Sequence, residues 1–342
     1  MVYLVRAASL TNYAEIARRS GLDPAALLRK HGMSLKLIAD PERRIPILPV
    51  MALLEESAQL AGCPSFGLRM AESRQLADLG GISLLLTHQR TLGDALQTLI
   101  DHLGLVHPSV AMSLEREAGV AVLRMKLLSG NGVYSAQGEE LALGVVWHMC
   151  TALLGPQWRP RRVTLMHAAP PDLRVHQRVF GGPVQFLGEC NGIILAEPDL
   201  ELPNPRADPS MLRFARRILD TLPSAGKERS VAAEVRKAIY LMLPAGRATI
   251  EQIALGMGCN VRTLQRQLEE RHLTFSDLLD EVRGELVLRY IENRGLPLAR
   301  IATLLGYSTP SSFTRWFSAK FGMAPNEWRK AGVTGSRGRA SG

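Results

Sequence analysis

The sequence predicts two domains of different class: an α+β N-terminal domain, then an all-α domain in which two helix-turn-helix units are joined by a long helix. Three observations lead there. A pattern of short helix, Gly-containing turn and second helix occurs twice between Thr249 and Lys330. Positive charge gathers in the same third, with 18 Lys and Arg against 11 Asp and Glu from Lys227 to Gly342, whereas the preceding residues hold 23 against 21. Ahead of that third, helical periodicity is interrupted by alternating apolar and polar residues around Ala118-Gly119, the mark of a β-hairpin.

Bulk composition narrows the class. A chain of 342 residues that is 46% hydrophobic and 21% charged is an ordinary globular protein with room for two or three domains. Only 5% is aromatic, so aliphatic cores are expected. The net charge of +9 suits a polyanionic partner. Cys63, Cys150, Cys190 and Cys259 include no C-x-x-C pair, which argues against a disulfide framework or a cysteine zinc site and fits a reducing compartment. Arg6, Glu15, Arg18 and Arg19 interrupt any signal-peptide pattern, and the best apolar run, Leu141 to Leu154, is too short to span a bilayer. A soluble cytoplasmic protein with no membrane partner is expected.

In order along the chain, helices are predicted for Asn12 to Arg19, Pro24 to His31 behind an Asp23 cap, Pro46 to Ala61, Phe66 to Ala71, Gly81 to His88, and Leu92 to Val106 behind a Thr91 cap. Val110 to Glu117 and Val120 to Leu128 form the hairpin. Gly138 to Leu154 returns to helix, Val163 to Met166 reads as strand, and Asp172 to Phe180 as helix. Val184 to Leu187 and Gly192 to Ala196 read as short strands, and Met211 to Leu222 closes the domain as a helix. The expected domains are residues 1–222, a linker at 223–229, the double helix-turn-helix at 230–331, and a disordered tail at 332–342 without apolar residues to bury.

The repeat carries the chemistry. Ile253-Ala254 and Gly258 match Ile301-Ala302 and Gly306 at an offset of 48, and after one inserted residue Leu264, Arg266, Leu268 and Arg271 match Phe313, Arg315, Phe317 and Lys320. In the first unit Asn260 caps the second helix, Leu264 and Leu268 face the core, and Arg262, Gln265 and Arg266 project outward. Arginine can fork onto guanine and glutamine onto adenine, so this face suits a major groove. In the second unit Ser308 or Thr309 is the cap; Phe313, Trp316 and Phe317 face inward, leaving Ser311, Ser312, Thr314 and Arg315 outside. These shorter side chains predict looser base reading. Asn260, Arg271, Ser312 and Lys320 are the candidates for phosphate contact. Thr274 to Asn293 reads as one helix with a Thr274/Asp277 capping box, spanning roughly 30 Å, close to the roughly 34 Å repeat of the major groove. Gly284 inside it costs about 1 kcal/mol against Ala and points to close packing. Double-stranded DNA is the expected partner.

Residues 231–330, with the closing F-G-M-A-P-N-E-W-R from Phe321 to Arg329, closely resemble the DNA-binding domain of AraC/XylS-type regulators. By that resemblance Arg262, Gln265 and Arg266 fall where the first recognition helix touches bases, and Ser311, Thr314 and Arg315 where the second does. Val287 departs from the alanine usual there, a matter of packing. The opening L-V-R-A-A-S-L-T-N-Y, with G-E-E-L-A-L-G-V and H-A-A-P-P-D, resembles the arabinose-binding-like domain of the ornithine-regulator and virulence-regulator subfamily. This implies a sensing and dimerising domain, a homodimer, a small-molecule effector, and RNA polymerase as partner if the protein activates. Polar anchors for an effector are sought among Arg6, Asn12, His167 and Arg174.

No catalytic frame such as G-x-S-x-G or H-E-x-x-H is present, so no catalytic residue and no enzyme activity is expected. The histidines lack the spacing of a metal set, so neither a metal nor a cofactor is expected; His102, His107, His167 and His176 read as surface or core-bridging residues. The alternative is a DNA-binding module fused to a catalytic repair or transfer domain, which would need a reactive thiol at Cys63, Cys150 or Cys190.

Overall fold

The computed structural model describes residues 3–129, 132–221 and 230–331. The expected linker at 223–229 and tail at 332–342 lie outside the described residues. The chain divides into two compact units, Met1–Lys227 and Glu228–Gly342.

The first unit opens with β1 (Leu4–Arg6), which pairs antiparallel with β2 (Arg44–Pro46), Val5 opposite Ile45. Between them lie α1 (Tyr13–Arg19), α2 (Pro24–Lys30) and α3 (Leu35–Ile38). The Asp23 carboxylate accepts from the amides of Ala25 and Ala26, closing the start of α2 as its sequence demands. Then come α4 (Ile47–Leu60), α5 (Phe66–Glu72), α6 (Ile82–Thr87) and α7 (Leu92–Asp101). The helix expected to run on to Val106 breaks at His102, whose φ of −109° leaves the helical region, and α8 (Leu103–Val106) is a separate turn. The His102 Nδ1 lies 2.8 Å from the Thr98 carbonyl, the acceptor its own amide uses, and this competition accompanies the break.

The hairpin forms as its sequence predicts: β3 (Val110–Glu117) and β4 (Val120–Leu127) are joined by Ala118 and Gly119 at φ of 49° and 79°, the pair of positive values that a two-residue I′ turn requires. It extends into a five-stranded sheet with β5 (Arg162–Thr164), β6 (Val184–Gln185) and β7 (Asn191–Ala196) in the order β3-β4-β7-β5-β6. All neighbours are antiparallel except β5 and β6. The helices α9 (Ala136–Leu154), α10 (Arg174–Phe180) and α11 (Pro209–Thr221) complete the unit.

Helix α9 is the axis of this arrangement, packed against α4, α5, β4 and β7. Its contact with α5 depends on small residues. A Cβ on Gly67 would lie 2.0 Å from the Gln137 carbonyl oxygen, and one on Gly144 would lie 2.5 Å from the Ala71 Cβ. The closeness lets the Gly67 amide donate to Gln137 Oε1 (2.9 Å) while Gln137 Nε2 donates to the Pro64 carbonyl (2.8 Å). Two adjacent glutamates near the start of α9 are fully buried, each partnered through its Oε1 while its Oε2 is not. Glu139 accepts from Lys126 Nζ (3.0 Å) and the Leu127 amide (3.1 Å). Glu140 lies 2.7 Å from His176 Nε2 and 3.1 Å from His167 Nε2, so two histidines nine residues apart converge on one carboxylate. Burial alone would push Glu140 up and His167 down, but their mutual attraction wins: Glu140 is held below the usual carboxylate value, and His167 is raised.

The second unit is all helix: α12 (Val231–Met242), α13 (Ile250–Gly256), α14 (Val261–Glu269), α15 (Phe275–Glu292), α16 (Leu298–Leu304), α17 (Pro310–Phe321) and α18 (Pro325–Ala331). Leu264 and Leu268 are buried on α14, and on α17 Phe313 and Phe317 are buried, as their spacing predicts. There Tyr307, Phe313, Trp316, Phe317, Phe321 and Trp328 form one chain of ring contacts.

Two measurements check this packing. Gly67→Ala forces α5 off α9 and should lower the urea-unfolding free energy by about 1–3 kcal/mol. The raised His167 stabilises when protonated, so that contribution is lost as pH rises through its folded-state value. Unfolding free energies at about pH 6 and about pH 8 should therefore differ less in His167→Gln than in the native chain.

Candidate nucleic-acid interface

The two repeats are built alike down to single hydrogen bonds. At the end of α13 the Cys259 amide donates back to the Ala254 carbonyl (3.0 Å), and at the end of α16 the Tyr307 amide donates to Ala302 (2.9 Å). Each turn passes through a glycine in the left-handed region, Gly258 at φ 68° and Gly306 at φ 70°, where a side chain would be strained. The second helices are then capped by equivalent residues. Asn260 Oδ1 accepts from the Thr263 amide (2.8 Å), and Thr309 Oγ1, the choice over Ser308, accepts from Ser312 (3.2 Å).

On α14 the side chains of Arg262, Gln265 and Arg266 are exposed, opposite buried Leu264 and Leu268. The Arg266 contact to Glu270, at 3.8 Å between exposed groups, is weak and leaves the guanidinium available. Arg271 is exposed, with one Nη hydrogen bond to the Gln267 carbonyl (3.1 Å). On α17 Ser311, Ser312, Thr314 and Arg315 are exposed. Two of these hydroxyls already have partners on the same helix: Ser312 Oγ lies 2.9 Å from Thr309 Oγ1, and Thr314 donates to the Pro310 carbonyl (3.0 Å).

Lys320 sits differently from the other phosphate candidates. Its ammonium is ion-paired with Asp280 on α15, and its stem crosses α15 at Gly284, where a Cβ would lie 2.7 Å from Lys320 Cε. The close packing expected of Gly284 is thus a passage for this lysine. Asp280 also accepts from the Trp316 indole N–H. Burial opposes its charge, yet Lys320 and Trp316 hold its carboxyl below the usual range.

Three further arginines, not singled out from the sequence, hold the frame. Arg236 on α12 pairs with Glu281 and Glu285 on α15. Arg283 donates to the carbonyls of Leu305 (2.8 Å) and Gly306 (3.3 Å), lying 4.3 Å over the Tyr307 ring, so it ties α15 to the second turn. Arg329, the last residue of the closing motif, donates to the carbonyls of Ile291, Asn293 and Leu296 and satisfies the end of α15. The sequence signal was available in that motif, but its role is structural.

With this geometry established, comparison with known proteins is decisive. Residues 21–204 match the arabinose-binding domain of AraC transcription regulators, and residues 236–331 match a helix-turn-helix domain family. The chain belongs to the AraC family of transcription regulators. It is 29% identical over 338 residues, 98% of both chains, to the HTH-type transcriptional regulator VirS of Mycobacterium tuberculosis. It is 24% identical over 318 residues, 93% of this chain and 94% of the other, to the ornithine utilization regulator of Pseudomonas aeruginosa. These full-length matches make it a DNA-binding transcription regulator and give the fused-enzyme alternative no support. Burial pushes the Cys150 thiol up to about 12 and raises that of Cys190, which disfavours a thiolate at these two positions. Among the described residues no helix is long and apolar enough to cross a membrane.

The first unit also holds a cavity of about 110 Å³, open in part to solvent, between α4, α7, α9 and the β3–β4 hairpin. Of the four residues considered as effector anchors, Arg6 lines it. Asn12 instead donates to Ser73, His167 faces Glu140, and Arg174 pairs with Asp172 at the surface.

The caps give a direct check on the recognition helices. Asn260→Ala and Thr309→Ala should each lower the stability of the C-terminal unit by about 1 kcal/mol in thermal unfolding.

Proposed function

We propose that this regulator is a homodimeric, cytoplasmic activator under the control of a small-molecule effector. In this reading Arg262, Gln265 and Arg266 read bases strongly and Ser311, Thr314 and Arg315 more loosely, with Asn260, Arg271 and Ser312 on phosphates. The observation that carries it is the pair of capped helices, α14 and α17, with exposed polar faces on either side of α15. The 18 residues of α15 extend about 27 Å, which suits two recognition elements on successive major-groove segments of one duplex face. The lesser information content of α17 follows from its hydroxyls, two of which already bond within the helix. Exposed Met211 and Phe214 on α11 offer an apolar contact for a second copy. Activation would bring RNA polymerase as a further partner.

Selection of bound sequences by gel shift with the full chain at about 0.15 M salt tests the reading, and absence of any sequence preference would sink it. Arg262→Ala should weaken binding to the selected site by about 1–3 kcal/mol and relax preference at one position. Arg271→Ala should reduce the slope of log affinity against log salt by about one. Lys320→Ala should change that slope less, because its charge is already matched by Asp280.

A further inference from the structure

We propose that Asp280 is a specificity-determining positioning residue: through its hydrogen bond to Trp316 it sets the roll of α17, and hence which bases that helix reads. This rests on the reading that α14 and α17 address separate segments of one duplex.

Two kinds of contact hold α17. Phe313 and Phe317 are fully buried, their rings edge-on at 5.9 Å, and the Phe313 ring also lies 6.0 Å from that of Tyr307. Apolar burial is non-directional, so it fixes how deep a helix lies more firmly than how it is turned about its axis. The second kind is directional. Asp280, on the second turn of α15, accepts the Trp316 indole N–H on one carboxylate oxygen and pairs with the Lys320 ammonium through the other. Trp316 and Lys320 are four residues apart and share one side of α17.

The two bonds are unequal. The side chains of Asp280 and Lys320 are 45% and 31% exposed, and solvent screens an ion pair placed there. An ammonium also rotates its three donors freely, so it constrains direction little. The indole has one donor in the plane of a rigid ring, and that ring is held in contact with those of Tyr307 (5.6 Å) and Phe321 (6.2 Å). The bond to Trp316 therefore governs the roll. Arg315 directly precedes Trp316, and any turning of α17 carries Ser311, Thr314 and Arg315 with it. A side-chain tip stands about 5–6 Å from a helix axis, so a roll of about 10° moves it by about 1 Å. Recognition geometry tolerates roughly 0.5 Å. Among the described residues Asp280 makes no bond to α14, which makes the first recognition helix an internal control.

The test reads the site selected by gel shift one base pair at a time, with the full chain. Asp280→Ala should lower the ratio of right to wrong base by at least about threefold at one set of positions. That set should be distinct from the one relaxed by Arg262→Ala, where the Asp280 variant should match the native chain. Trp316→Phe, which keeps a ring but has no N–H, should relax the same set as Asp280→Ala, and it decides the matter alone if Asp280→Ala does not fold. Asp280→Asn, whose amide oxygen can still accept from the indole, should keep the native preference. A purely structural role would instead lower the fraction of active protein, counted by stoichiometric titration, and leave the preference of the active molecules unchanged at every position. That result, equal loss across both sets, or an Asp280→Asn chain as relaxed as Asp280→Ala would overturn the proposal. Arg315→Ala separates the two readings: if it relaxes no position while Asp280→Ala still does, the base contact of Arg315 fails and the positioning role stands.

Discussion

The close approach of α5 and α9 governs the first unit. Gly67 and Gly144 bring the two helices together where side chains would hold them apart, and the start of α9 is thereby stitched to its neighbours. Glu55 on α4 accepts from Ser135 Oγ (2.7 Å) and the Gln137 amide (3.0 Å), Gln137 engages α5 and Pro64, and Glu139 reaches β4. Such partners offset the cost of burying a carboxylate, and in Glu139 and Glu140 they reach one oxygen each. One face of α9 is consumed in this way. Another, with Leu141, Val145 and Met149, borders the cavity. The hollow is the complement of the tight seam on the same helix.

In the second unit the arginines divide into two populations. Arg236, Arg283 and Arg329 are turned inward or along α15 and bind carboxylates and carbonyls of the frame. Arg262, Arg266, Arg271 and Arg315 remain exposed. The number of basic residues in this region therefore overstates the cations free to meet a polyanion, and Lys320, matched to Asp280, belongs with the frame.

How much of this was legible in the sequence depended on the distance over which each feature acts. The hairpin, the Asp23 and Thr91 caps, the Thr274/Asp277 box and the duplicated turns are set by residues within about six positions of one another, and all are present. The pairing of β1 with β2 was not legible, since three-residue strands separated by three helices leave no periodic trace. The convergence of His167 and His176 on Glu140, and of Arg74 and His107 on one cavity, joins residues 27 to 36 positions apart or more through the fold alone. The exposed faces of α14 and α17 were legible because a helix fixes which residues share a side. The inward commitment of Lys320 was not, because it needs Asp280 and Gly284 from another helix.

A helix transmits angle as well as distance, and this bears on how such a chain can vary. Each residue added to or removed from α15 would rotate everything after it by about 100° around the helix axis. The exposed side chains of α14 and α17, such as Arg262, Gln265, Arg266, Ser311 and Arg315, can diverge one at a time, since each is away from the core. The length of α15 lacks that freedom: only steps near whole turns, of which seven residues is about the first close match, preserve the phase between the two halves. Variation in what is read is therefore gradual, whereas variation in spacing is quantised.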